Sequence, residues 1–139
     1  MVTLNKIVAF VVTTWPEQAT VFYRDKLGFK FVQDDSFALV FDAHGSRLRV
    51  VKMKEFTPAG YTVLGWEVDA IEKAVKELNG RGVAFERFEG MAQDKLGIWS
   101  APGGSRVAWF KDPDGNVLSL SQPPPRNVPS VDARRRSPQ

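Results

Sequence analysis

Few side chains in this sequence could do chemistry, and two of them stand singly among apolar neighbours. Arg49 lies between Leu48 and Val50, and Ser119 lies between two leucines. An arginine in such a place could hold a carboxylate or phosphate by a bidentate contact. Glu67 could act as a general base if it were buried. The alternative for both charged residues is structural, because Arg49 and Glu67 could simply neutralise each other.

The other candidate groups favour structural roles. The single histidine, His44, falls in a turn, where a histidine is usually just solvated. Asp112 and Asp114 could form a catalytic pair, but an Asp-Pro-Asp-Gly turn favours local hydrogen bonding. The sequence has no phosphate-binding glycine loop, nucleophile elbow or zinc-ligand spacing. Its lack of cysteine excludes thiolate chemistry and disulfides, and is typical of a reducing compartment.

The elements that must position these groups occur twice. The apolar run "IVAFVV" predicts a strand, and "TTWPEQATVFYRDKLG" predicts a helix with a Thr14–Glu17 capping box. Shifted by 55 residues, "VLGWEV" predicts another strand, and Asp69 and Glu72 take the two capping positions. A strand should follow each helix, as "FKFVQ" in the first copy and "VAFERF" in the second.

The second half of each copy repeats with an offset of 70 residues. Asp42 and Gly45 match Asp112 and Gly115, and both pairs suit tight turns between strands. Each copy is therefore a βαβββ unit, over about residues 4–55 and 60–122. We expect an α+β fold of two tandem units, because each helix covers one sheet face and the other faces must enclose a shared cavity.

Alternation along the strands predicts which side chains face this cavity. The apolar neighbours of Arg49 and Ser119 should meet the helices, so Arg49 and Ser119 themselves should point inward. Trp66 falls on the helix side and should pack in the core, whereas Trp109 could stack on a planar ligand. Phe37, Met53 and Trp99 are included although the register of their strands is undetermined. The predicted ligand-binding residues are Val8, Phe10, Phe37, Arg49, Met53, Val63, Glu67, Trp99 and Ser119.

The bulk composition indicates one domain, over residues 1–122, with a disordered Pro/Arg-rich tail over 123–139. The pI of about 9.3 comes from this tail. It holds four of the 19 basic residues and one of the 16 acidic residues, which leaves 15 of each in the domain. A neutral domain argues against nucleic acid. No apolar run approaches the roughly 20 residues that span a bilayer, and the N-terminus is not typical of a signal peptide, so we predict a cytoplasmic protein.

Three stretches, "VFYRDKLGFKF", "GWEVDAIEKAVKELNGRGVAF" and "FKDPDGNVLSL", resemble the vicinal oxygen chelate superfamily over about residues 4–122. It includes glyoxalase I, extradiol dioxygenases, fosfomycin-resistance enzymes and bleomycin-resistance proteins. The resemblance implies four metal-ligand positions, usually His, Gln or Glu, which fall here on Val8, Arg49, Val63 and Ser119. Valine has no donor atom, arginine repels a cation and a lone serine hydroxyl is a weak ligand. We therefore predict no metal and no cofactor.

The sequence thus favours a metal-free protein that binds a small organic molecule, anionic or aromatic, in the cavity between the sheets. Members of such a family often pair between chains, so a homodimer is expected. The sequence leaves open whether the two units pair within one chain or between two. It also leaves open two alternatives: a metal-independent isomerase or lyase that uses Glu67 and Arg49, and an interaction module whose own side chains fill the cavity.

Overall fold

Two mixed four-stranded sheets form the structure, a computed structural model that describes residues 1–125. The first sheet has the order β1-β4-β3-β2 and the second the order β5-β8-β7-β6. The strands are β1 (Val8–Thr13), β2 (Lys30–Asp34), β3 (Ala38–Ala43), β4 (Ser46–Lys52), β5 (Thr62–Glu67), β6 (Trp99–Ser100), β7 (Arg106–Lys111) and β8 (Val117–Gln122). The predicted fold class is confirmed. Beyond its first three prolines, the tail predicted to be disordered lies outside the described residues.

The two sheets share one pairing register. In each sheet the first strand runs parallel to the last, and Phe10 pairs with Arg49 in the first copy. The residues 55 and 70 positions further along, Gly65 and Ser119, pair in the second copy. The agreement ends near Val63, where β5 has an irregularity between Thr62 and Leu64. The repeat in the sequence is therefore also a repeat in backbone hydrogen bonding.

The two helices begin without the predicted capping boxes. Helix α1 (Pro16–Thr20) continues as a π-helical segment, Val21–Lys26, and α2 spans Ile71–Gly80. Neither N-cap residue makes a side-chain cap hydrogen bond. The Thr14 hydroxyl donates instead to Asp114, across 2.6 Å. The Ile71 N–H, in the first turn of α2, donates to Gln122 Oε1 across 2.8 Å. A tertiary partner thus replaces the local cap of α2, because Gln122 satisfies a first-turn N–H from a neighbouring strand. In the first unit, Asp114 engages the residue that was expected to cap α1.

Replacing Gln122 with alanine is expected to lower the free energy of unfolding by about 1 kcal/mol, the usual cost of losing a helix cap. Asp69→Ala should change it by less than about 0.5 kcal/mol, because Asp69 is exposed and caps nothing. Urea denaturation of both variants at neutral pH measures the difference. A larger loss for Asp69→Ala than for Gln122→Ala would contradict the observed cap.

The strand predicted for "VAFERF" does not form beyond a single bridge between Phe85 and Phe110. The short β6 takes the edge position in the second sheet. Side chains organise the intervening loop, since Gln93 Nε2 donates to the carbonyls of Glu86 and Gly97. The Asp94 carboxylate accepts two further backbone N–H groups. These side-chain hydrogen bonds supply the partners that a strand would otherwise find in its neighbour.

One core joins both sheets and both helices. Leu48 and Leu118 are almost fully buried, which confirms that the neighbours of Arg49 and Ser119 face the helices. The segment after α1 contacts both sheets. The ring centres of Phe22 and Phe110, on β7, are 6.2 Å apart, and those of Tyr23 and Phe41, on β3, are 5.8 Å apart. Each sheet therefore turns its other face away from this core.

Between residues 1 and 125, neither helix is long and apolar enough to cross a membrane.

Candidate functional site

The face of the first sheet that turns away from the core carries rows of side chains in register. Cross-strand partners share a face, so the pairing defines the rows. One row consists of Lys30, Asp42, Arg47 and Val8. The next row contains Val40, Arg49 and Phe10. Phe10 is 59% exposed although it is a large apolar side chain. We call this surface, with its equivalent on the second sheet, the open face.

Arg49 pairs with Asp35 rather than with Glu67. Its Nη2 lies 2.9 Å from Asp35 Oδ2, and both side chains are about a quarter exposed. Asp35 also accepts the N–H groups of Ala38 and Phe37. The Ala38 N–H, the Arg49 guanidinium and the Phe37 N–H hold the pKa of Asp35 below its ordinary value. The alternative in which Arg49 pairs with Glu67 is therefore wrong within this chain, because the β2–β3 turn supplies the carboxylate instead.

Three aromatic side chains, Phe88, Trp99 and Trp109, form a cluster on the open face of the second sheet. Trp109 is in register with Ser119. The centre of its ring lies 5.4 Å from that of Phe88 and 6.2 Å from that of Trp99. The Trp109 Nε1–H donates to Thr62 Oγ1 across 3.1 Å, which fixes the ring. Phe88 is 39% exposed, and Trp99 and Trp109 are half-buried. The exposed parts of such rings accept planar rings by stacking. The sequence pointed to the two tryptophans, but the wrong strand assignment around residue 88 hid Phe88.

Gly65 and Ser119 pack closely against each other in the sheet that carries this aromatic cluster. They are in register on β5 and β8. A Cβ on residue 65 would overlap the Ser119 hydroxyl and approach its carbonyl oxygen, so only glycine fits this position without displacement. The site therefore offers the small Ser119 hydroxyl, seated over Gly65, next to Trp109.

The structure divides the predicted binding residues among several surfaces. Phe10 and Val63 come from different sheets and line one cavity of about 250 Å³. Val8 lines another, of about 460 Å³. Glu67 is exposed and lines a third, of about 350 Å³, with Trp66 and Arg81 on the helix side. Phe37 and Met53 are exposed by 76% and 51%. Their roles as ligand contacts stay predictions.

Trp66 and His44 lie on the helix side rather than on the open face. Trp66 packs 5.3 Å from Phe29, next to the core, as the strand alternation predicted. His44, exposed in the turn between β3 and β4, stands edge-on to the same phenylalanine, 5.8 Å away. Both side chains line the 350 Å³ cavity that Glu67 also borders.

The four positions where the resemblance places metal ligands do not fit a metal ion. Val8 and Val63 offer no donor atom, and the Arg49 guanidinium is a cation already bound to Asp35. Ser119 leaves one hydroxyl, which is a weak ligand without acidic or imidazole partners. Over residues 1–125, no three His, Cys, Asp or Glu side chains come together to hold an ion. A metal site of the usual kind therefore has no donor set here.

The Asp-Pro-Asp-Gly turn of the second unit binds the first unit. Asp112 is 6% exposed and accepts the Tyr23 hydroxyl across 2.7 Å. It also accepts the N–H of Asp114 and both the backbone and the side chain of Asn116. Asp114 accepts the hydroxyls of Thr13 and Thr14 and the Thr14 N–H. The local bonds predicted for this turn are confirmed, but the bonds to the first unit, about 100 residues away, were not predicted.

Burial dominates the electrostatics of this joint. It raises the pKa of Asp112, against the lowering effect of the hydrogen bonds from Asn116 and Tyr23. Burial also raises the pKa of Tyr23 well above its ordinary value, with a further contribution from the Asp112 charge. Tyr23 therefore stays a neutral donor at any ordinary pH. Both carboxylates are engaged in holding the units together, which favours a structural role over a catalytic pair.

The comparisons with known proteins agree with this architecture. The Glyoxalase/Bleomycin resistance protein/Dioxygenase superfamily profile matches residues 3–120. A superfamily member from Sphaerobacter thermophilus DSM 20745 is 26% identical, with a TM-score of 0.68 over 86% of this chain and 98% of its own. TnmS3, an antibiotic binding protein from Streptomyces sp. CB03234, is also 26% identical, with a TM-score of 0.67 over 88% of this chain and 98% of its own.

A more distant structure shares only the fold. Lactoylglutathione lyase from Agrobacterium tumefaciens is 14% identical, with a TM-score of 0.65 over 85% of this chain and 92% of its own. No match was found among curated proteins. The family match covers most of the chain, and the strand order and repeat register accord with it. The chain therefore belongs to the glyoxalase/bleomycin resistance protein/dioxygenase superfamily.

Proposed function

We propose that this protein is a metal-free binding protein for a small planar organic molecule, held on the open face. The observation that carries the proposal is the aromatic cluster of Phe88, Trp99 and Trp109, which is fixed by the Trp109–Thr62 hydrogen bond. A planar ring stacked on Trp109 would gain about 0.5–1.5 kcal/mol beyond its buried area. Ser119, whose hydroxyl fills the space at the missing side chain of Gly65, is in register with Trp109 and offers a small polar group beside such a ring.

Two further observations support binding over metal chemistry. The four positions expected to hold a metal carry Val8, Arg49, Val63 and Ser119, whose donor set does not suit one. TnmS3, which is 26% identical over most of its length, is described as an antibiotic binding protein. An isomerase or lyase would need Arg49 and Glu67 to act together on a substrate. Arg49 is instead held by Asp35, so we favour binding without turnover.

We propose further that the protein acts as a homodimer in the cytoplasm. Large apolar side chains on or beside the open face, Phe10, Phe37 and Met53 among them, are more than half exposed in the single chain. Exposed apolar surface that is rimmed by polar residues is typical of association sites. A second chain laid over this face would bury these side chains and enclose the ligand between sheets of different chains.

A thermal-shift screen against planar aromatic metabolites and aromatic antibiotics tests the proposal. A ligand at a hundredfold excess over its Kd should raise the free energy of unfolding by about 2.7 kcal/mol. Trp109→Leu keeps apolar bulk but loses the stacking surface, so it should weaken each such ligand about tenfold. Trp15→Leu is the matched control, because Trp15 is exposed at the start of α1. Equal affinities for both variants would contradict the assigned surface.

Elemental analysis of the purified protein tests the metal-free part separately. The expected result is no stoichiometric divalent ion. One zinc, nickel or iron ion held tightly per chain would overturn that part of the proposal. Glu67→Gln provides a further check, because a protein that only binds should keep its ligand affinity in this variant.

A further inference from the structure

We propose that the ligand carries an anionic group, and that Arg47, with Lys30 and Lys6, binds it. This inference rests on the proposed function, because Arg47 and Lys30 share one row of the open face of the first sheet, and Lys6 lines the same cavity. It differs from the sequence expectation, in which Arg49 is the anion-binding arginine. The proposed ligand is thus an amphipathic organic anion: an aromatic ring bearing a carboxylate, sulfonate or phosphate.

The first argument is a cavity of about 460 Å³ that combines cations with apolar walls. This volume lies within the range of small-molecule sites, roughly 300–1,000 Å³. Its charged side chains are three cations and one carboxylate, so the cavity has a formal charge of +2. The lining side chains that carry the argument are Lys6, Lys30, Asp42 and Arg47, with Ile7 and Val8.

The second argument is that these cations lack ion-pair partners. The two other cations of β4, the strand that carries Arg47, are neutralised, since Arg49 pairs with Asp35 and Lys52 pairs with Asp34. No salt bridge within residues 1–125 involves Lys6, Lys30 or Arg47. The free positive charge of the first sheet therefore lies at Arg47 and Lys30, one row away from Arg49.

The third argument is the position of the single carboxylate. Asp42 stands in register between Lys30 and Arg47, and its Oδ1 accepts the Gly45 N–H across 2.8 Å. This hydrogen bond holds the carboxylate toward the β3–β4 turn. Since Asp42 can offset only one charge, an anion that contacts Arg47 and Lys30 together still meets a net positive site. Arginine suits this role because its planar group binds a carboxylate or phosphate by two parallel hydrogen bonds.

A pair of dyes with the same rings tests the inference. 1-Anilinonaphthalene-8-sulfonate carries one anionic group, and N-phenyl-1-naphthylamine is its neutral analogue. Titrations of the full chain follow dye fluorescence at low and high salt. Arg47→Gln should weaken sulfonate binding about tenfold and leave the neutral dye unchanged. Added salt should weaken only the sulfonate.

Three variants sharpen the result. Arg24→Gln removes one positive charge from an exposed helix position and should change neither affinity. Arg49→Gln should weaken the sulfonate less than Arg47→Gln does, because Asp35 already neutralises Arg49. Asp42→Asn keeps an oxygen for the Gly45 N–H but removes the negative charge, so it should tighten sulfonate binding severalfold.

The outcomes separate this inference from the proposed function. If both dyes bind the wild-type protein and Arg47→Gln weakens neither, the anion site is overturned while the apolar binding surface stands. If Arg47→Gln and Arg24→Gln weaken the sulfonate equally, the effect is one of overall charge and the assignment to Arg47 is wrong. If neither dye binds the wild-type protein, the proposed binding function fails and the inference fails with it.

Discussion

Asp112→Ala is expected to lower the free energy of unfolding by about 3 kcal/mol at neutral pH, since it strands buried donors at about 1–3 kcal/mol each. The variant removes the acceptor of the Tyr23 hydroxyl and one of the two acceptors of the Asn116 amide, which keeps its bond to the Val12 carbonyl. Both Tyr23 and Asn116 are almost fully buried. It also loosens the contact between the two units, because Tyr23 belongs to the first unit. Urea denaturation followed by tryptophan fluorescence measures the change.

Two variants control this result. Asp25→Ala removes an exposed aspartate on the same helical segment as Tyr23, and should leave the free energy of unfolding nearly unchanged. Tyr23→Phe removes one donor from the joint and should cost about 1–1.5 kcal/mol. In a double-mutant cycle, the Tyr23 and Asp112 changes should be clearly non-additive. Additive losses would mean that the two side chains are not coupled.

The pH dependence of this joint has a definite sign. Burial raises the folded-state pKa of Asp112 above its value in the unfolded chain. The proton-linked part of the Asp112 contribution is therefore fully present below the ordinary carboxyl pKa, and it is lost as pH rises through the raised folded-state pKa. Asp25, Asp34 and Asp35 act in the opposite direction, because hydrogen bonds lower their pKa values. A comparison with a variant that lacks only the Asp112 titration isolates the pH-dependent contribution of Asp112 to the free energy of unfolding.

Asp112→Asn supplies that comparison. The difference in unfolding free energy, wild type minus Asp112→Asn, should fall as the pH rises from the ordinary carboxyl pKa through the raised folded-state pKa of Asp112, and then level off. Parallel denaturation series at several pH values give this difference. A difference that grows with pH would show that the folded state favours the charged form of Asp112.

Phe10→Glu is expected to convert the proposed homodimer to a monomer and to abolish binding of aromatic ligands. Phe10 is more than half exposed on the open face, next to Val8 and opposite Arg49. A carboxylate at this position would have to be buried in an apolar interface, which costs several kcal/mol for each chain. Sedimentation velocity at several protein concentrations measures the change, with a ligand titration in parallel.

Val21→Glu is the matched control for the dimer. Val21 is a similarly exposed apolar residue, but it lies on the helical segment after α1. This variant should remain dimeric. A wild-type chain that sediments as a monomer at all concentrations would overturn the dimer, and a dimeric Phe10→Glu variant would place the interface elsewhere.

The sequence alone determined the repeated architecture of this protein. The offsets of 55 and 70 residues match Phe10 to Gly65 and Arg49 to Ser119. The backbone agrees with this repeat, because it pairs Phe10 with Arg49 and Gly65 with Ser119. Alternation of apolar and polar residues also predicted correctly that Leu48 and Leu118 are buried. These features follow from local periodicity, which is visible in a single chain because a strand and a helix each have a fixed repeat.

The tertiary structure decided which partner each polar side chain takes. Thr14 was expected to cap its own helix but donates to Asp114, 100 residues away. For Arg49 the sequence left open an anionic ligand or Glu67 as the partner, but Arg49 pairs with Asp35. Such choices depend on which groups the fold brings within about 3 Å, and spacing along the chain does not contain that distance. For the same reason the cavity that combines Arg47, Lys30 and Lys6 became visible only once the strands were in register.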